Sequence, residues 1–76
     1  QEAIRKEKTR LLRLYNRGVK SKDMSEYTEA MDRYRAVSKG DRSVLPANST
    51  WTAEDAAQLV RNVEADLAPV AKRQSA

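Results

Sequence analysis

The sequence contains no cysteine, no histidine and no phenylalanine. Without cysteine the chain can form no disulfide and offers no thiolate nucleophile. Without histidine it lacks the side chain that most often serves as a general base near neutral pH. It also lacks a glycine-rich phosphate loop, a Glu-x-x-His pair and a calcium-loop pattern, and no carboxylate joins an apolar face by helical spacing. We therefore expect no enzymatic activity, no metal site and no cofactor.

Glycine, proline and long apolar runs are also scarce. Two glycines and two prolines occur, and no segment alternates apolar and polar residues as a strand would, which favours an all-α chain. No apolar run approaches the ~18 residues of a transmembrane helix, and no signal-peptide core is present, so we expect a soluble chain. It begins with Gln1 rather than methionine, as expected of a processed chain or a piece of a longer one. Its compartment stays open.

The chain of 76 residues has room for one helical domain. A domain of this size buries only about 60% of the surface that its unfolded chain exposes. Because neither disulfides nor histidine-bound metals can reinforce so small a core, a partner or oligomerisation is a natural source of further stability.

Apolar side chains in the middle of the chain recur every three or four residues, as on one face of a helix. They are Tyr27, Ala30, Met31, Tyr34 and Val37. Asp23 followed by Glu26 resembles a capping box at the start, and Gly40 after Lys39 favours a stop. The pattern predicts a helix over residues 24–38.

The first segment has an apolar stripe of the same kind, which predicts a helix over residues 2–19. The stripe consists of Ile4, Leu11, Leu12, Tyr15 and Val19. Gly18 lies where the pattern ends, which favours a role as the glycine that terminates this helix.

The other side of this first helix carries a line of cations, here called the cationic stripe. It consists of Lys6, Arg10, Arg13, Arg17 and Lys20. Residues 1–20 hold seven Lys/Arg and two Glu, a net of +5, while the remaining residues have a net of −1, which together give +4. The stripe is either simply the solvated face of the helix or a binding surface. As a binding surface it would contact the phosphate backbone of a nucleic acid, an anionic membrane surface or an acidic protein partner. In the membrane hypothesis, Ile4, Leu11, Leu12 and Tyr15 would dip into the interface.

The third helix is predicted over residues 52–68, after a connection of about twelve residues that is long for a helical bundle. Thr52 and Asp55 resemble a capping box, and Trp51 is suited either to a hydrophobic staple onto Ala56 or to an exposed interface anchor. The apolar face consists of Ala56, Leu59, Val60, Val63, Leu67 and Val70. Pro69 disfavours helical geometry before it, so residues 69–76 are expected to be a frayed tail.

Several short segments together resemble a known family. They are Lys8-Thr9-Arg10 in a basic helix, Tyr27-Thr28 and Ala30-Met31 in the next helix, Leu45-Pro46 in a loop, and Glu64-Ala65 in the closing helix. In this order they resemble the last three helices of the lumenal four-helix-bundle accessory factor of photosystem II assembly. The first helix of that bundle has no counterpart here. The resemblance implies only that an accessory subunit of a larger complex is a sensible expectation.

These patterns predict an all-α, antiparallel three-helix bundle. Its core is expected to contain Leu11, Leu12, Tyr15, Tyr27, Met31, Tyr34, Leu59, Val63 and Leu67. The favoured function is a non-enzymatic protein–protein interaction module, a small accessory or adaptor subunit of a larger complex. The alternative is a basic nucleic-acid-binding module that uses the cationic stripe.

Overall fold

The computed structural model describes the backbone of residues 2–75 and the side chains of residues 2–69. Three helices make up the fold: α1 Glu2–Ser21, α2 Ser25–Ser38 and α3 Ala53–Ser75. Residues 2–75 contain no strand, and each helix packs against both others. The predicted all-α, three-helix arrangement is confirmed. Gln1 and Ala76 lie outside the described residues.

Contacts between α1 and α2 occur in opposite order along the two helices. Arg17 lies 3.7 Å from Glu26 near the short connection, whereas Tyr34, late in α2, bonds to Glu7, early in α1. This order agrees with the predicted antiparallel pairing.

The core is formed by one face of each helix. Its buried members are Ile4, Leu11, Ala30, Met31, Tyr34, Val37, Ala56, Leu59, Val60 and Val63, and the half-buried side chains packed on them are Leu12, Leu14, Tyr27, Leu45, Trp51 and Leu67. The predicted core residues are therefore buried or half-buried, as expected. Tyr15 is half-buried and meets Tyr27 edge to face at 5.2 Å. Val19 was assigned to the apolar stripe wrongly, because it is 43% exposed, and the side chain of Val70 lies outside the described residues.

Gly18 does not end α1, contrary to the prediction. The helix continues to Ser21, and the residue with positive φ is Lys22, at 61°. The Asp23 N–H then donates to the Gly18 carbonyl at 3.0 Å, the bond that closes a Schellman-type helix end. Gly18 is buried, and a Cβ there would lie 2.5 Å from the Met24 sulfur. Glycine is needed at this position for close approach, not for its φ angle.

The predicted capping box at the start of α2 does not form. The Asp23 carboxylate accepts bonds from the N–H and the hydroxyl of Ser25, at 3.1 and 2.7 Å, and the cap position is occupied by Met24 without a side-chain bond. Glu26 lies near Arg17 instead of reaching back. The helix consequently begins one residue later than predicted, because the carboxylate closes a local turn.

The end of α2 is as predicted. Gly40 has φ of 100°, its N–H donates to Val37 at 2.9 Å, and the Asp41 N–H donates to Ala36 at 3.0 Å. These two bonds form a complete Schellman motif, which explains why the helix stops after Ser38.

The start of α3 is also as predicted, since Thr52 Oγ1 accepts the Asp55 N–H at 3.0 Å. Its predicted end near residue 68 is wrong, because the helix passes through Pro69 to Ser75. Proline lacks one backbone donor, and a helix can continue past it when the turns on either side keep their own bonds. The helical backbone thus extends into the segment that was expected to be a frayed tail.

Candidate functional site

The cationic stripe is largely engaged within the chain. Its ion pairs are Lys6 with Glu2 at 3.6 Å, Arg10 with Glu7 at 2.7 Å, and Arg17 with Glu26 at 3.7 Å. Each of these carboxylates offsets a positive charge of the stripe. The role of the stripe in binding stays a prediction.

The far end of the stripe is less neutralised. Arg13 and Lys20 have no ion-pair partner in the described part of the chain, and with Arg17 they line a shallow groove of about 520 Å³. This end of α1 is where the stripe retains most of its positive field.

Glu7, Arg10 and Tyr34 form a bonded cluster that joins α1 to α2. The Arg10 guanidinium donates to both oxygens of Glu7, at 2.9 and 2.7 Å, and the buried Tyr34 donates its hydroxyl to the same carboxylate. The bonds from Arg10 hold the pKa of Glu7 below its ordinary value of 4.5, although partial burial opposes them. Burial, followed by the bond to Glu7, raises the pKa of Tyr34 well above its usual range. The tyrosine is therefore a neutral donor at physiological pH.

Sequence reasoning missed this cluster. The spacing of Glu7 and Arg10, three residues apart on one helix, was an available signal for their pairing. No local pattern indicated that Tyr34 would complete it.

The connection between α2 and α3 is held by its own hydrogen bonds. The Arg42 guanidinium donates to the carbonyls of Ser49 and Trp51, the former at 3.1 Å. The Ser49 N–H donates to Pro46 at 3.0 Å, and the Asp41 carboxylate accepts from Ser43. The connection is therefore held together by hydrogen bonds between its own residues.

This loop lies against α1 and α2 and leaves an open depression of about 440 Å³, here called the loop cleft. Both polar and apolar side chains line it. The large side chains among them are Arg10, Arg33, Tyr34, Val44, Leu45 and Trp51. No Asp or Glu lines the cleft, although two arginines do.

Trp51 is half-buried at the edge of the cleft. Its ring lies 5.2 Å from that of Tyr34, tilted by 58°, and it packs on the core. The predicted staple onto Ala56 and the predicted role as an interface anchor both stay predictions. The ring contact with Tyr34 shows that the indole serves as part of the wall of the cleft.

A larger depression, of about 740 Å³, lies between the N-terminal halves of α1 and α3. Its charged lining residues are Glu2, Arg5, Lys8, Glu54, Asp55 and Arg61. Because the two signs alternate there, this depression has no clear preference for a charged ligand.

The membrane hypothesis loses part of its basis, because Ile4 and Leu11, which were to enter the bilayer interface, are core residues. Within the described part of the chain, no helix combines the length and apolar character required to cross a membrane. The same residues contain no group of three or more Asp or Glu placed to hold a metal ion.

Comparison with protein-family models, curated proteins and solved structures finds no match to this chain.

Proposed function

We propose that this chain is a non-enzymatic interaction module, a small accessory or adaptor subunit that binds a segment of a larger protein in the loop cleft. The observation that carries the proposal is a cleft that has a hydrogen-bonded loop as one wall and both arginines and apolar side chains in its lining.

The order of the loop favours binding because little conformational entropy remains to be lost. Arg42 fixes the backbone at Ser49 and Trp51, on the loop side of the cleft. A wall that is already fixed makes the ordering cost of association smaller. Long ordered loops in small domains are commonly used for binding.

The composition of the cleft also favours a protein ligand. Tyr, Trp and Arg are the residue types enriched at the energetic centres of protein interfaces, and the cleft has all three in Tyr34, Trp51 and Arg33. Val44 adds an exposed apolar side chain, 38% accessible, beside them. Covering such a side chain on binding releases water from apolar surface and stabilises a complex.

The test is selection of binding peptides from a random short-peptide library, using the whole chain as bait. Selected peptides should change the fluorescence of Trp51, the single tryptophan, and should bind the Val44→Ser variant several-fold more weakly. Val19→Ser is the matched control, because Val19 is similarly exposed, at 43%, but lies outside the cleft. Equal affinity for both variants and the parent chain would refute the proposal.

A second candidate function, nucleic-acid binding, depends on the less neutralised end of the cationic stripe. Arg13, Arg17 and Lys20 line one groove, and two of them lack a carboxylate partner among the described side chains. Phosphates bound there would release counterions and make the affinity fall with salt.

Its test is the double variant Arg13→Gln with Lys20→Gln, titrated with a short duplex and a short single strand at several salt concentrations. Each lost phosphate contact should lower the slope of log K against log salt by about 0.7 to 0.9. The control is Arg61→Gln with Lys39→Gln, which removes the same charge from α3 and the end of α2. An unchanged slope in the first variant would exclude this use of the stripe.

A further inference from the structure

We propose that the occupant of the loop cleft is an extended peptide segment in which a carboxylate side chain stands beside a large apolar one. This inference rests on the proposed function and specifies the chemistry of the partner.

The charge of the cleft is the first argument. Five arginines are engaged in the fold: Arg10 with Glu7, Arg17 with Glu26, Arg35 with Asp32 and Glu64, Arg42 with loop carbonyls, and Arg61 with Gln58. Arg5, Arg13 and Arg33 have neither a side-chain ion pair nor a side-chain hydrogen bond among residues 2–69, and of these three Arg33 is the one that lines the cleft. Glu29, one helical turn before it, stands at a spacing that favours a pair, yet the two side chains form none within the ion-pair distance.

A carboxylate is the group that this arrangement recognises best. The guanidinium is planar and offers paired donors that match the two oxygens of a carboxylate. Because no Asp or Glu lines the cleft, an incoming acid meets Arg33 without a competing charge in the lining. Arg10 lies in the same cleft but is already held by Glu7, so Arg33 is the principal determinant.

The apolar half of the cleft is the second argument. Val44 is 38% exposed, and it is one of only two large apolar side chains that reach this exposure among the described side chains. Leu45 and Trp51 lie beside it and are each half-buried. An aliphatic or aromatic side chain of the partner would cover this surface while its neighbouring acid reaches Arg33.

The lining of the cleft comes from two sides, and this favours an extended segment. Arg10 and Arg33 belong to α1 and α2, whereas Val44, Leu45 and Trp51 belong to the loop. A few extended residues, which place successive side chains on opposite sides, fit the space and can separate an acid from an apolar neighbour.

The experiment extends the peptide selection. Peptides that depend on Val44 should be enriched in Asp or Glu next to a large apolar residue. Exchanging that acid for its amide should weaken binding to the parent chain by about tenfold or more, as expected for a charge-assisted pair. The same exchange should have little effect on binding to the Arg33→Gln variant. The control is Arg61→Gln, which removes one exposed arginine outside the cleft. For this variant the exchange should weaken binding as much as it does for the parent chain.

The outcomes separate the two proposals. Peptides that need Val44 but lose nothing on the acid-to-amide exchange would overturn this inference and leave the interaction module standing. Peptides indifferent to Val44 would overturn the proposed function itself. A poly-uridine oligonucleotide whose binding depends on Arg33 but not on Val44 would overturn the inference in favour of a nucleic-acid occupant.

Discussion

At Gly18 the backbone of α1 lies directly against the turn that leads into α2. A glycine within a helix costs about 1 kcal/mol relative to alanine, so local preference alone favours replacing it. The atoms nearest to an added Cβ would be the Met24 sulfur at 2.5 Å and the Asp23 carbonyl oxygen at 3.0 Å. The sulfur can move with its flexible side chain, but the carbonyl belongs to the turn itself.

We therefore predict that Gly18→Ala lowers the free energy of unfolding by about 1 kcal/mol, because the cost of overpacking exceeds the gain in helix propensity. Asn16→Ala, at an exposed position of the same helix, should instead raise it by about 0.5 kcal/mol. Urea denaturation measures both. A stabilising Gly18→Ala would mean that the turn shifts without cost.

The carboxylate of Glu7 joins two helices, and its lowered pKa makes this contribution dependent on pH. A carboxyl group whose pKa is lower in the folded state than in the unfolded state stabilises the folded protein. The full stabilisation is present at pH values above the unfolded-state pKa. That stabilisation is lost as the pH falls through the folded-state pKa. We predict that Glu7→Gln costs about 1–2 kcal/mol near neutral pH and progressively less below the ordinary glutamate pKa of 4.5.

The control is Glu2→Gln, since the Glu2–Lys6 pair is exposed on both sides and such pairs contribute little. The measurement is the free energy of unfolding of the parent chain and both variants at several pH values between neutral and acidic. A Glu7→Gln difference that stays constant with pH would show that the carboxylate does not act through its charge.

At the scale of elements, the helix ends illustrate which sequence signals are reliable. The Thr52 cap and the Gly40 stop involve residues at most five apart, so the local pattern was enough to predict them. The Asp23 pattern was misinterpreted because its carboxylate has two local options, a capping bond or a turn to Ser25. The role of Gly18 was missed because the atoms that press on it come from the turn, not from its own helix.

Pro69 interrupts the backbone bonding of α3 while the helical path continues to Ser75. We predict that Pro69→Ala increases the helical circular-dichroism signal and the melting temperature, because it restores a backbone donor and relieves the clash with the preceding turn. Pro46→Ala, in the loop, should leave the helical signal unchanged. A fall in the melting temperature of Pro69→Ala would indicate that proline at this position contributes to packing.

At the scale of the whole molecule, stability depends on a thin core shared by three helices. Met31 and Leu59 are both completely buried. We predict that Met31→Asp or Leu59→Asp abolishes the cooperative thermal transition, because an unpaired carboxylate cannot be buried there without a cost of several kcal/mol. Thr28→Asp, on the exposed side of α2, should retain the transition. A normal melt for either core variant would place these residues outside the core.

The two candidate sites differ in how far the sequence could reveal them. Helical periodicity alone indicated the cationic stripe, but three of its members have carboxylate partners. Glu2 and Glu7 lie four and three residues from their partners on the same helix, a spacing that favours such pairs. Glu26, which lies near Arg17, even belongs to another helix. The loop cleft left no local pattern, since it brings Arg10 and Arg33 together with residues 44–51.

The sequence by itself determined the number of helices, three of their six ends and the face that each one buries. These features follow from apolar spacing and from bonds between residues a few positions apart. A short segment of the sequence therefore contains the information that determines them. Only the tertiary structure decided that Gly18 is a contact point, that Tyr34 completes the cluster with Glu7 and Arg10, and that Arg33 is left unpaired beside Val44. Those results depend on how the helices and the loop are placed against one another, which is a property of packing between distant residues.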